Sequence, residues 1–153
     1  MELINLTKVE ILELNLSNIN DILKIEKQLN IHILSKENII KDLANSNFKY
    51  FIAKYNNELI AYASISYVDD IEIESIVVKK EYQRLKVGSL LLNNILKFAK
   101  RNNVKNIFLE VRKSNTPAQN LYLNNGFNVI SIRKSYYFSP IEDALILKKV
   151  IQY

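Results

Sequence analysis

Apolar residues recur along this chain with two different periods, and the switches between them mark its elements. Val9, Ile11, Leu12 and Leu14 predict a first strand. Ser17 is the expected N-cap of a helix in which Ile19, Ile22, Leu23, Glu26 and Leu29 fall at helical spacing. Ser35, with Asn38 behind it, predicts a second, shorter helix reaching about Asn45. The period then shortens. YFIAKY at 50–55, an NNE turn and LIAYASISYV at 59–68 predict a hairpin. IEIESIVVK at 71–79 alternates and then becomes continuously apolar at Ile76, Val77 and Val78, the mark of a central strand. Helical spacing returns at Val87, Leu90, Leu91, Ile95 and Phe98. NIFLEVR at 106–112 is a further strand. Asn115 should cap the next helix, with Pro117 in its first turn and Gly126 just past its end. FNVISIRKSYYF and DALILKKVI close the chain as two strands.

The predicted order is β-α-α-β-β-β-α-β-α-β-β, an α/β domain with a mixed sheet and helices on both faces. Strand and helix do not alternate throughout, so this is not a doubly wound nucleotide fold. With no internal repeat and no linker, residues 1–153 are expected to form a single domain.

Composition narrows the chemistry. The chain has no cysteine, which excludes disulfides, thiolate metal sites and a cysteine nucleophile. The beginning of the chain shows no signal-peptide pattern, and no window approaches 18 apolar residues, so a cytoplasmic protein without a membrane partner is expected. The formal charge of +5 favours an anionic partner, and it is not gathered into a tail. No basic stripe interleaved with aromatics is present, so direct nucleic-acid binding is not expected. The single histidine, His32, has no partner for metal or nucleophile chemistry in the pattern and is expected on a loop or the surface.

Two stretches carry candidate chemistry. In the first, the apolar strand ending at Val78 leads through YQRLK into the helix at Val87. The first turn of a helix leaves N–H groups unpaired and favours negative charge. Gly88 would let a phosphate come close, and Gln83, Arg84 and Lys86 would add donors and charge. The same glycine could instead serve tight packing of helix on strand. In the second, Glu110 lies inside a strand, sharing a face with Phe108 and Arg112. A carboxylate there needs a partner or a task. Tyr122 follows twelve residues later on the next helix. A carboxylate and a phenol facing one cleft suit acid–base work. A Glu110–Arg112 pair and a core tyrosine form the alternative.

Together these segments resemble the GNAT acetyltransferases, and within them the RimI-type N-terminal acetyltransferases that modify a ribosomal protein. Three motifs carry the resemblance: QRLKVG at 83–88 for the family's Q/R-x-x-G-x-G/A loop, LEVRKSNTPAQNLYLNNGF at 109–127, and the Tyr136–Tyr137 pair followed by Glu142 to Ala144. The resemblance implies the GNAT fold, a mixed, mostly antiparallel sheet splayed between strands 4 and 5, with acetyl-CoA in the splay. It implies that the backbone of Ile76, Val77 and Val78 holds the pantetheine. It places the pyrophosphate on Arg84, Leu85, Lys86, Val87, Gly88 and Ser89, and adds Gln83 and Asn115 as further cofactor contacts. Glu110 would be the general base, Tyr122 the general acid, and Tyr136 and Tyr137 the lining of a peptide pocket. A strand N–H, that of Val77 or Val78, would stabilise the oxyanion. No metal and no covalent enzyme intermediate are implied.

The implied activity is transfer of acetyl to a protein α-amine, the N-terminal alanine of a ribosomal protein. Alternatives are a small amine or lysine side chain as acceptor, or a non-catalytic module that binds CoA or RNA. Two positions depart from the pattern. Lys86 stands where the loop's first glycine is usual, and NIHILSKE (30–37) lacks the Pro-Trp pair of the RimI type.

Overall fold

The computed structural model describes residues 3–153. Its elements are β1 (Glu10–Glu13), α1 (Ile19–Gln28), α2 (Lys36–Leu43), β2 (Phe48–Tyr55), β3 (Glu58–Tyr67), β4 (Ile71–Val78), α3 (Val87–Arg101), β5 (Asn106–Arg112), α4 (Thr116–Leu123), β6 (Asn128–Tyr137) and β7 (Glu142–Val150). The order agrees with the reading of the two periods. Short 3-10 turns precede β1, α1 and the loop into α3.

The seven strands form one sheet in the order β1-β2-β3-β4-β5-β7-β6. All neighbours are antiparallel except β4 and β5. The β2–β3 turn is made by Asn56 and Asn57, both at positive φ (50° and 63°), as a tight two-residue hairpin requires. One face carries α1 and α2: Ile19, Ile22, Ile25 and Ile39 pack on Tyr50, Ile52, Tyr62 and Val77. The other carries α3 and α4: Leu91, Leu92, Ile95 and Tyr122 pack on Ala61, Ala63, Ile71, Ile73, Ile107 and Leu109. Each fully buried aliphatic side chain contributes roughly 1.5–3 kcal/mol through area removed from water.

β4 is central, as its apolar run implies, but that run does not lie on a regular strand. The pairing with β3 jumps from Ser64↔Ser75 to Ile65↔Ile73, leaving Glu74 as an extra residue. Such a bulge reverses the alternation. Ile71 and Ile73 face α3; beyond the bulge Val77 faces α1 and α2, and Ile76 and Val78 take the α3 side. β4 and β5 pair only at Ile71↔Ile107, Glu72↔Phe108 and Ile73↔Leu109. Past the bulge the strands part, while β5 stays paired with β7 from Asn106 to Arg112.

The expected cap at Ser17 is corrected. A 3-10 turn, Leu16–Asn18, comes before α1, and its cap is Asn15, whose side chain accepts from the Ser17 N–H at 2.9 Å. Asn18 precedes α1 without a side-chain cap bond. Ser35 does cap α2, accepting from Asn38 N–H at 3.2 Å, and α2 ends at Leu43, before Asn45. Ser17 donates to Asn15 Oδ1 through both its N–H and its hydroxyl; because the N–H survives in Ser17→Ala, Asn15→Ala should lose about 1 kcal/mol in urea unfolding and Ser17→Ala clearly less. Equal losses would restore Ser17 as the cap.

Candidate active site

The gap between β4 and β5 opens toward the start of α3. Beside it lies a cavity of about 670 Å³ lined by Ile76, Val78, Gln83, Arg84, Lys86, Val87, Gly88, Ser89, Asn115 and Tyr122. All ten are residues that the sequence motifs select. Leu85 and Val77 are outside its lining. Tyr82, Pro117, Ala118, Leu121 and Asn124 also line it and were missed. Ala118 could have been found from Tyr122, and Leu121 from Ala118, since residues four and three apart on one helix are neighbours on its surface.

Hydrogen-bond alternation assigns the strand backbone. Lys79 N–H donates to Ile60 O at 2.8 Å. In an antiparallel ladder every second residue turns to the same neighbour. Val77 therefore points its backbone groups at β3, where it opposes Tyr62. Ile76 and Val78 point theirs into the gap. Of the two donors named for the oxyanion, Val78 faces the gap and Val77 does not. The Val78 carbonyl is already taken by the Gln83 side chain, Nε2 at 3.0 Å, which leaves its N–H.

The α3 entrance has no side-chain cap bond. Lys86 occupies the N-cap at φ 66°, and Arg84 lies at φ 61°. Left-handed backbone at a residue with a Cβ costs roughly 1–2 kcal/mol. Lys86 thus stands where glycine would relieve strain. Both side chains are exposed, and the sequence from Tyr82 to Leu109 contains no acidic residue. Unpaired N–H groups and two cations give this loop the donors and the charge that an anion would require. Gly88 is ordinary helix. A Cβ there would meet Leu121, Ile76 and Val78 at 3.6–3.9 Å, normal contact distances. Packing of α3 on β4 therefore does not require glycine, although a methyl group would intrude toward the cavity. Gly126 differs. Its φ is 85°, and a Cβ would come within 2.5 Å of Lys149 Nζ.

Asn115 caps α4 through its Oδ1, which accepts from Ala118 N–H at 3.2 Å. Tyr122 is buried, and burial raises the pKa of its phenol far above the ordinary range, so it stays protonated. Its ring packs edge-on against Phe127 at 5.5 Å.

Glu110 lies on the opposite face of β5. Ile107, Leu109 and Val111 point into the α3–α4 core, so Phe108, Glu110 and Arg112 point the other way, as the period of two requires. Glu110 does not line the cavity that Tyr122 lines; the β4–β5 gap lies between the two faces. The partner of Glu110 is Arg133 on β6, with Nη1 at 3.1 Å from Oε1. Arg112, the partner considered from sequence, pairs instead with Glu142 at 3.3 Å. No local signal could have found Arg133, 23 residues away across β7.

Tyr136 and Tyr137 lie on the same side as Glu110. Their rings meet edge-on at 5.1 Å. A hydrogen bond to Glu110 raises the Tyr136 pKa; burial, then Glu110, raises that of Tyr137. Arg112 stacks over Tyr137 at 4.3 Å and donates to the carbonyls of Phe138 and Pro140, both at 3.3 Å. Glu142 also accepts from the Ser114 N–H, tying this wall to the residue before Asn115. Glu72 on β4 was not anticipated. Burial, then Glu74 and Glu110, raises its pKa. The arrangement offers a cradle for an anion on one side of the gap and carboxylates with phenols on the other.

Comparison with known proteins gives this geometry a family. The profile of the acetyltransferase (GNAT) family matches residues 16–127. A Bacillus subtilis relative is 32% identical over 92% of this chain and 95% of its own. The [ribosomal protein bS18]-alanine N-acetyltransferase of Haemophilus ducreyi is 32% identical over 79% of this chain and 83% of its own. The crystal structure of the ribosomal-protein-S18-alanine N-acetyltransferase from Escherichia coli superposes with a TM-score of 0.86 at 28% identity, covering 95% of each chain.

Gly88→Ala should leave the fold as stable, or up to about 1 kcal/mol more stable, in urea unfolding. Gly126→Ala should lose roughly 1–2 kcal/mol, since it must hold a side chain at positive φ. A clearly destabilised Gly88→Ala would mean that helix packing is what the glycine serves.

Proposed function

The chain belongs to the acetyltransferase (GNAT) family and is an N-acetyltransferase, and from that premise we propose that residues 1–153 form a single cytoplasmic catalytic domain that acetylates a protein α-amine from acetyl-CoA, the acceptor being the N-terminal alanine of a ribosomal protein. The observation that carries this reading is the gap past Ile73, with an anion cradle on one side and Glu110 beside two tyrosines on the other. The relatives' names support the acceptor. A neighbour of the same fold is described with acetyl-CoA bound, which supports the co-substrate.

The residues present fit acetyl-CoA. The uncapped α3 N-terminus with Arg84 and Lys86 suits a pyrophosphate. The outward backbone of Ile76 and Val78 suits the amide groups of a pantetheine arm, as an added strand would be held. Acetyl-CoA supplies the acyl group as a thioester. Glu110 takes the proton from the incoming amine, directly or through water. The Val78 N–H stabilises negative charge developing on the thioester oxygen. Tyr122, protonated because it is buried, hands its proton to the departing thiolate. Tyr136 and Tyr137 hold the acceptor chain beside Glu110. Both substrates held along one sheet supply the proximity.

Glu110→Gln should lower kcat by about 100-fold or more while acetyl-CoA affinity stays within about twofold. Tyr122→Phe should also lower kcat; an unchanged rate would leave Tyr122 as a packing residue. An alanine-starting peptide should be acetylated, and the same peptide with a blocked N-terminus should not. Equal transfer to both would favour a lysine acceptor instead. Lys86→Gly, assayed for acetyl-CoA affinity at low and high salt, separates strain from charge. A gain shows relief of the positive φ, and a loss confined to low salt shows a phosphate contact.

A further inference from the structure

Among the described residues Glu26 is the most deeply buried carboxyl side chain, 3% exposed, and none of the proposed chemistry uses it. Among the described residues no cation pairs with it. Its oxygens instead accept from the Leu34 N–H, at 3.2 and 3.3 Å, and from the Tyr62 hydroxyl at 2.8 Å. Tyr62 is itself fully buried and opposes Val77 on β4. Nearby, the buried Ser64 and Ser75 hydroxyls of β3 and β4 lie 2.7 Å apart. Buried hydrogen bonds thus run from the α1–α2 loop through Glu26 to Tyr62 on β3, the strand that pairs with β4 beyond the bulge.

The loop it holds lies at the open end of the gap. Gln28, the last residue of α1, donates to both Glu81 oxygens at 2.9 Å and accepts from Lys80 N–H at 3.1 Å, just past β4. Leu29, Ile31 and Leu34 tuck against the α1–α2 core, while His32 and Ile33 stay exposed. α1 and α2 cover the same sheet face that carries Glu110. A buried acceptor of this kind is rarely the most stable choice, since a well-packed apolar residue of similar volume often does as well or better. What an apolar residue could not do is hold one loop amide in one place.

We propose that Glu26 is a positioning residue for the acceptor: through the Leu34 N–H it fixes the loop 29–35 as a wall of the groove that receives the peptide, and Tyr62 ties that wall to β3, beside the bulged strand. This rests on the peptide-acetyltransferase reading above. Glu26 touches neither substrate and acts through the loop. It also accounts for how the chain can lack a Pro-Trp pair in this segment and still present an ordered loop.

The test uses the full chain carrying Glu26→Leu with Tyr62→Phe, which removes both partners of the Glu26–Tyr62 bond and leaves only the half-buried Leu34 N–H without its acceptor. Amide exchange at Leu34 should quicken by about tenfold, KM for an alanine-starting peptide should rise by about tenfold, and kcat and acetyl-CoA affinity should stay within about twofold. Tyr62→Phe alone should shift the same quantities in the same direction by less, and it serves if the double variant fails to fold. Unchanged exchange at Leu34 would remove the tether. Faster exchange with an unchanged peptide KM would remove the loop from the groove. A parallel loss of acetyl-CoA affinity would reduce Glu26 to a general structural role. A wild-type chain that acetylates no α-amine would instead overturn the proposed function, and the acceptor role of Glu26 with it.

Discussion

Strands β4 and β5 pair in parallel only from Ile71 to Ile73, and the rest of the site is arranged around the point where they part. The residue after the last pair is Glu74, the bulge. A bulge bends its strand and increases local twist, so β4 leaves β5 while staying on β3. β5 cannot follow, because β7 holds it along its whole length. The result is a gap in the middle of a sheet, where unpaired strand backbone is normally too costly to leave. The Ile76 and Val78 groups that β5 would have satisfied are left facing it.

What surrounds the gap is held by polar contacts in addition to the two apolar cores. Arg112 is bonded to Glu142 and to two backbone carbonyls, and it supports Tyr137 from behind. Glu142 reaches on to the Ser114 N–H, which links the tyrosine wall to the entry of α4. Across the gap, Glu26 and Tyr62 hold the α1–α2 loop. These groups are satisfied, which is the condition for polar networks to order a structure rather than weaken it. The anion cradle is held differently. Its backbone is strained at Arg84 and Lys86, and no side chain caps the helix that it opens.

The elements were legible because their signals are local. Ser35 immediately before the first turn of α2, the two asparagines between β2 and β3, and Asn115 with Pro117 each state a backbone conformation in one or two side chains. The cap before α1 was misplaced because Ser17 and Asn15 are both capping types, and only the 3-10 turn decides which accepts. The loop from Gln83 to Ser89 was legible as an anion site, and all its members except Leu85 line one cavity. The partner of Glu110 was not legible. Arg112 is near in sequence, but β7 lies between β5 and β6, and that topology brings Arg133 to Glu110 instead.

By itself the sequence determined the order of elements, the caps of α2 and α4, the face on which Glu110 lies and the residues of the α3 entrance. Each of these depends on period or on a side chain acting within a few residues of its own backbone. Only the tertiary structure decided that Glu110 and Tyr122 stand on opposite sides of a sheet, that Val78 rather than Val77 turns its N–H to the gap, and that Glu26 is the buried anchor of a loop. These depend on which strand neighbours which and on a single extra residue at Glu74. A bulge leaves no mark in composition or period that distinguishes it from an ordinary exposed glutamate, yet it sets the register of everything that follows it.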